Sequence, residues 1–416
     1  MKRSLLALLA CCLVVAVVRA DNWPNWRGPG ANGVAQGDNY PTTWSKTENV
    51  LWKVALPGKG ASTPVVWGKQ IFLTCGVDGQ NMVVSLDRAG KTLWQTAVGQ
   101  ERSGKHKKAT GCNPSAVTDG EHVFVYFKSG DLACLDFSGK IVWRQNLQTL
   151  YGEDTLWWDL GTSPVLTKNA VVVAVMQTGN SYLAAFDKST GQAAWKQDRN
   201  VDAPSEAAQS YSTPLVLQEG SREILVVLGA DHVTGHDAAS GKELWRVGGL
   251  NPTGQKFFRS IASPVAADGV VVAPYARGAT MTAIRLGGSG DVTKTHILWN
   301  KDKLGADVPT PAAKDGKVYL LTDKGELNCL DLQTGNLLWS GQVEKNRNAF
   351  SSSPILAGGK IYLTREDGKT FVAAQGSEFK LLATNDLDGE FIVATPVFTD
   401  GQILFRTAES LYCVGK

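Results

Sequence analysis

The side chains best suited to chemistry gather in a few short segments. Lys105-His106-Lys107-Lys108, Tyr151-Gly152-Glu153-Asp154, Trp157-Trp158-Asp159, Glu206, Tyr211 and Phe257-Phe258-Arg259 mix aromatic rings with both signs of charge, and Arg347 and Phe350 repeat the mixture farther along. Aromatic residues beside charges suit the binding of a planar ring, a sugar or a peptide. Lys105, His106, Trp157, Trp158, Asp159, Glu206, Tyr211, Phe258, Arg259 and Arg347 are therefore the candidate ligand-binding residues. Plainer roles compete: Trp157 and Trp158 could pack loops against the body beneath, and the Lys105–Lys108 run could simply be solvated.

No recognisable catalytic set accompanies these residues, and catalytic positions stay unassigned. The sequence contains neither Gly-x-Ser-x-Gly nor His-Glu-x-x-His. His232 and His236 have the four-residue spacing that chelates metal on a helix, but they flank a stretch that reads as strand, where four residues span roughly 13 Å. No metal site is expected there. Gly287, Gly288 and Gly290 lack the strand-to-helix context of a phosphate loop and read as a lengthened turn.

The elements that must position the candidates are repeats. A Ser/Thr/Asn-Pro dipeptide returns eight times, ending at Pro64, Pro114, Pro164, Pro214, Pro264, Pro311, Pro354 and Pro396. Spacings of 42 to 50 residues mark a repeat architecture. Within each unit an apolar pair is followed by a turn, often Asp-Gly, then by β-rich runs such as Lys317–Leu321 and Glu326–Leu330. Asp-x-x-(Thr)-Gly-x-x-x-Trp closes the unit, as at Asp187/Gly191/Trp195 and Asp331/Gly335/Trp339. Each unit thus makes four short antiparallel strands. Such a sheet cannot bury both faces alone, so the units must stack radially. Trp52, Trp94, Trp143, Trp195, Trp245, Trp299 and Trp339 lie on the fourth strands and suit the gaps between blades. The last unit stops after its third strand, whereas Leu51–Val54 is a fourth strand with no blade before it. The expected fold is all-β: an eight-bladed β-propeller of four-stranded antiparallel blades, residues 50–416, with the N-terminal strand closing the last blade and residues 21–49 docked on the propeller. Connections from repeat Trp to next repeat Pro are longest, 19 to 21 residues, where they lead into units two to five. Those loops share one face and carry nearly all the candidates, which is where rigid scaffolds usually place function.

Export is the expected destination. Lys2 and Arg3 precede an apolar run, Leu5–Val18, and Val18-Arg19-Ala20 suits cleavage, so residues 1–20 read as a signal peptide of a periplasmic or secreted protein. A lipid-anchored alternative uses Leu8-Leu9-Ala10-Cys11, with lipid on Cys11. Three of the 42 basic residues fall in this leader, leaving 39 against 39 acidic ones, so charge makes no case for nucleic acid as a partner. No later segment is apolar enough to span a membrane. Five cysteines remain; Cys134, Cys329 and Cys413 share one repeat position and read as buried thiols, and Cys75 with Cys112 is the one pair worth testing as a disulfide.

The Asp-x-x-Thr-Gly-x-x-x-Trp element resembles the tryptophan-docking repeat of pyrroloquinoline quinone (PQQ)-dependent alcohol dehydrogenases and of PQQ-like propellers, over about residues 50–416. Asn22-Trp23-Pro24-Asn25-Trp26-Arg27-Gly28-Pro29 and Ala283–Thr293 are similar to segments of a secreted subgroup of PQQ-like repeat proteins. The resemblance implies the fold. The dehydrogenases also carry two adjacent cysteines beside the quinone, whereas the only adjacent pair here is Cys11-Cys12, in the leader. In size the chain is similar to the non-catalytic propeller lipoprotein of the outer-membrane barrel-assembly machinery. The leading expectation is a non-catalytic extracytoplasmic propeller that binds a protein partner or small ligand through its long-loop face, as a monomer or as part of an envelope complex. The alternative is an oxidoreductase of alcohols or sugars using PQQ and calcium, with a carboxylate from Glu153, Asp154, Asp159 or Glu206 converging on the channel mouth.

Overall fold

The computed structural model describes residues 21–416; the expected leader, with Cys11, lies outside the described residues. Eight sheets follow one another along the chain, seven of four antiparallel strands and one that adds a fifth, parallel strand to its four. The second strand of a blade is an unbroken apolar run, as in Ala170–Val175, whose six residues are all buried because a neighbouring blade covers each face. The fourth strand lies at the outer edge and alternates instead, as in Val50–Ala55. That strand pairs antiparallel with Ser410–Val414, Trp52 opposite Cys413 and Lys53 opposite Tyr412, so the two ends of the propeller share one blade. The closure leaves no unpaired strand at the seam.

The repeat motif works between blades. Asp187 Oδ1 accepts the amides of Ser189 (3.0 Å) and Thr190 (2.8 Å), which holds the turn. Gly191 takes φ +70°, and a Cβ there would lie 2.4 Å from the Trp143 ring of the preceding blade. Glycine is thus required twice over, by backbone conformation and by the neighbouring indole. Trp143 Nε1 then donates to the Lys188 carbonyl (2.7 Å) in the same turn. Trp52, Trp94, Trp195, Trp299 and Trp339 make the equivalent bond to Arg88, Phe137, Ala238, Leu332 and Gly376.

Trp245 departs from this pattern. In the following blade Arg285 replaces the turn aspartate, and Gly287–Asp291 is more than a lengthened turn: Gly290–Asp291 runs parallel to Trp245–Arg246 as a fifth strand. The insertion takes the place of the docking turn. Trp245 instead lies over Gly235 of its own blade, where a Cβ would be 2.1 Å from the indole, and its Nε1 has no acceptor among the described residues.

Residues 21–49 run along the face opposite the long loops. Asp21 N donates to Asp400 Oδ1 (2.7 Å) and Gly68 N to Asn22 Oδ1 (2.8 Å), both in turns between first and second strands. Trp23 pairs through its backbone with Val66, and Gly33 and Ala35 bracket Leu356. Buried Trp23, Tyr40 and Trp44 join the core of the first, seventh and eighth blades. Cys75 and Cys112 are buried and unbridged: Arg406 Nη2 donates to Cys75 Sγ (3.5 Å), and Cys112 Sγ lies 3.8 Å from Asn81 Oδ1. His236 is buried between Thr234 Oγ1 (2.8 Å) and the Gly241 carbonyl (2.9 Å), so the His232/His236 spacing serves packing.

Candidate functional site

The innermost strands begin with a hydroxyl residue, and these residues close a circle around the channel. The backbone amide of each donates to the hydroxyl of the next: Thr63 to Ser115, Ser115 to Ser163, then Thr213, Ser263, Thr310, Ser353, Thr395 and back to Thr63, all at 2.8–3.2 Å. Every blade contributes one link in the same rotational sense. In seven blades the hydroxyl residue precedes the repeat proline. In the second it follows Pro114, and the strand Val117–Thr118 begins three residues after that proline instead of one. Pro114 therefore sits two places off the repeat position, which Ala116 fills. The hydroxyl, not the proline, is the fixed point, because the circle needs an acceptor from each sector.

Above the circle is a cavity of about 480 Å³ lined by all eight hydroxyl residues, by Trp26, by long-loop residues including His106, Lys108, Trp158, Asp159, Tyr211 and Arg259, and by Arg277 from a turn between second and third strands. Trp26, from the N-terminal strap, lines the cavity at the end away from the long loops. The strap side holds a second cavity of about 380 Å³, which Trp26 also lines.

Each rim residue is held by a partner from another loop. Asp159 is buried against Lys128 and accepts the backbone amides of Lys105 (2.8 Å) and His106 (2.7 Å), fastening the Lys105 loop to the next blade. Trp158 is fixed twice, its amide donating to Tyr211 Oη (3.1 Å) and its indole to Glu206 Oε1 (2.7 Å). Tyr211 Oη in turn donates to Gln209 Oε1 (2.8 Å), and burial pushes its hydroxyl pKa up. Arg259 grips Asp307 with two nitrogens (2.9 and 3.1 Å) and lies 3.5 Å from Glu206. The His106 ring meets Trp158 edge-on at 5.9 Å.

Of the sequence candidates, His106, Trp158, Asp159, Tyr211 and Arg259 converge on the cavity, with Glu206 behind them. Lys105 contributes its backbone amide; Trp157 and Arg347 are exposed away from the cavity, and Phe258 packs on the core of the fourth and fifth blades. Sequence reasoning missed Trp26, Lys108 and Arg277 as lining residues. Arg277 lies in Ala276-Arg277-Gly278, three consecutive left-handed residues (φ +56°, +53°, +81°). Its segment ends a second strand and carries no motif, so nothing in the pattern pointed to it.

Residues 79–339 and 288–378 match the family described as outer membrane protein assembly factor BamB, well over half of the chain. The chain belongs to the BamB family. BamB of Yersinia pestis is 23% identical over 353 residues, 82% of this chain and 81% of that protein. The crystal structure of BamB from Moraxella catarrhalis is similar with a TM-score of 0.64 at 14% identity, over 88% of this chain and 97% of that one. A europium-containing methanol dehydrogenase gives 0.68 at 11% identity, over 95% and 98%. These two structural likenesses bear on the fold.

The resemblance to PQQ-dependent dehydrogenases implies calcium beside the quinone, and the carboxylates of this BamB-family chain do not fit that metal. Calcium needs several oxygen ligands free of competing cations. Asp159 is taken by Lys128, Glu206 and Asp307 by Arg259, and Glu366 by Lys108 (2.6 Å) and Ser351 (2.5 Å). Asp154 turns away to Arg102 (2.9 Å), and Glu153 is exposed. No group of three or more metal-ligating side chains occurs among the described residues.

Proposed function

We propose that this chain is a non-catalytic platform of the cell envelope that captures a protein partner on its long-loop face. The supporting observation is a set of large aromatic side chains left exposed on adjoining loops: Trp157 (47% exposed), Trp158 (45%) and Phe257 (56%). Exposed Trp normally lies loose, but here the Trp158 indole and the Trp157 backbone are both fixed in advance. Gln209 Oε1 accepts the Trp157 amide (3.1 Å), and Glu206 and Tyr211 hold Trp158. Rigid aromatic anchors supply much of the binding energy at protein interfaces, because little conformational entropy remains to be lost. The family relatives are outer membrane assembly factors by name, in keeping with an exported protein working beside envelope partners.

Photo-crosslinking in the native envelope tests the proposal. A photoreactive residue placed at Trp157 or Phe257 should give one discrete protein adduct, lost with Trp158→Ala, while the same group at Lys91, in an outer turn, should give none. Adducts from Lys91 but not from the long loops would reject the proposed face.

A further inference from the structure

The cavity floor presents eight hydroxyl groups to one space, and their protons have no acceptor among the described residues. A hydroxyl carries one donor and two acceptor sites. In the circle each oxygen receives one amide proton, which leaves its own O–H free to turn inward. The floor is therefore a collar of donors.

Beneath the collar stands a cation without a counter-charge. Arg27 is 1% exposed; its Nη1 and Nη2 donate to the carbonyls of Pro354 (3.1 Å) and Pro311 (2.8 Å), the residues next to Ser353 and Thr310 of the circle. Its Nε has no acceptor and no carboxylate pairs with it among the described residues. Trp26 lines the cavity with its ring centre 5.5 Å from Arg27 Cζ, while Arg27 itself lines the strap-side cavity. Burial without a partner pulls the Arg27 pKa down to about 9. A buried, unpaired guanidinium is costly unless something compensates it. At the mouth, Arg277 is exposed, left-handed at φ +53°, and outside every ion pair among the described residues. The other rim cations, Lys108 and Arg259, are neutralised by Glu366 and by Asp307 with Glu206.

From this arrangement we infer that the cavity is a binding site for a small oxyanion with several acceptor oxygens, a polycarboxylate or phosphate ester, seated on the hydroxyl collar above Trp26 and Arg27 with its outer end toward Arg277. Donors converge from eight blades, so one oxygen reaches only its near neighbours and a ligand with oxygens on several sides fills more of them. Two cations lacking counter-charges select an anion over a neutral polyol. The site goes beyond partner capture, since of the three exposed anchors only Trp158 lines it.

Titration calorimetry and thermal melting of the purified protein test the site, with citrate and inorganic phosphate as probes and with sodium chloride at matched ionic strength and sorbitol as controls. The expected result is one saturable site for citrate, phosphate or both, with a rise in Tm that neither control gives. Arg277→Gln, on an exposed turn, should weaken that binding about tenfold or more, and so should Thr213→Val, which also removes the acceptor of the Ser163 amide, whereas Thr213→Ser, which keeps it, should bind as the parent does. Arg27→Gln should weaken it further, and Arg277→Gln decides the matter if the buried variants fail to fold. Absence of saturable binding, an equal response to chloride, or unchanged affinity in both Arg277→Gln and Thr213→Val would overturn the inference and leave the collar as a holder of water.

Discussion

Gly191→Ala measures how tightly one blade is locked to the next. Two costs add at this position. An L-residue at φ +70° costs about 1–2 kcal/mol. The new methyl would also lie 2.4, 2.6 and 2.7 Å from Cδ2, Cε3 and Cγ of Trp143, in a gap where buried rings cannot withdraw freely. Overpacking of that kind costs about 1–3 kcal/mol, for a total of about 2–5 kcal/mol. Gly269→Ala is the matched control: its φ is +76°, but nothing lies within 4 Å of the added carbon, so only the backbone cost of about 1–2 kcal/mol applies. Urea unfolding followed by tryptophan fluorescence gives the difference in midpoint, with coincident circular dichroism checking that one transition is measured. Trp143→Leu supplies the second arm, since on that background Gly191→Ala should fall to the cost of Gly269→Ala. Equal destabilisation by the two glycine substitutions, or a Gly191 effect indifferent to residue 143, would refute the double role assigned to the repeat glycine.

Two further outcomes follow from buried polar groups. Burial, with Arg199 nearby, pulls the His236 pKa down to about 4 from an ordinary 6.5, so the unfolded chain binds that proton first and stability is lost as pH falls from about 6.5 to 4, by about 3 kcal/mol from this group; His236→Gln should flatten that part of a melting-temperature profile. Asp159→Asn leaves Lys128 buried without its counter-charge and weakens the hold on Lys105 and His106, which should destabilise the protein by about 3–5 kcal/mol and speed protease cleavage at the Lys105–Lys108 loop, read by mass spectrometry of the fragments.

The blades were legible in sequence because each repeats the same local chemistry: an aspartate that holds a turn, a glycine that tolerates it, and a tryptophan that fills the gap beyond. Closure by Val50–Ala55 was legible for a simpler reason, a strand too many at one end and one too few at the other. What escaped depends on relations between repeats. Pro114 keeps an interval of 50 residues from Pro64 and Pro164 while sitting two places out of register, and only the hydroxyl circle exposes the offset. Trp245 carries the same motif residues as Trp195, yet its behaviour is decided by an insertion some 45 residues later that occupies its docking turn. At the rim, local composition located His106, Trp158, Asp159, Tyr211 and Arg259, because long loops mixing rings and charges gather over a channel. Trp26, Lys108 and Arg277 come from a strap, the tail of a charge run and a strand end, whose meeting place is a property of the closed ring alone.

The seam also dictates an order of events. Trp52 is made long before its partner Cys413, and the circle of amides and hydroxyls cannot join until the last blade is in place. Until then the earliest strand has a bare edge and the final sheet lacks its outer member, so a partly finished chain is the state in which stray strand pairing is most dangerous. A protein built in this way gains most from a chaperone late in translocation, when a single remaining pairing separates an open arc from a closed wheel.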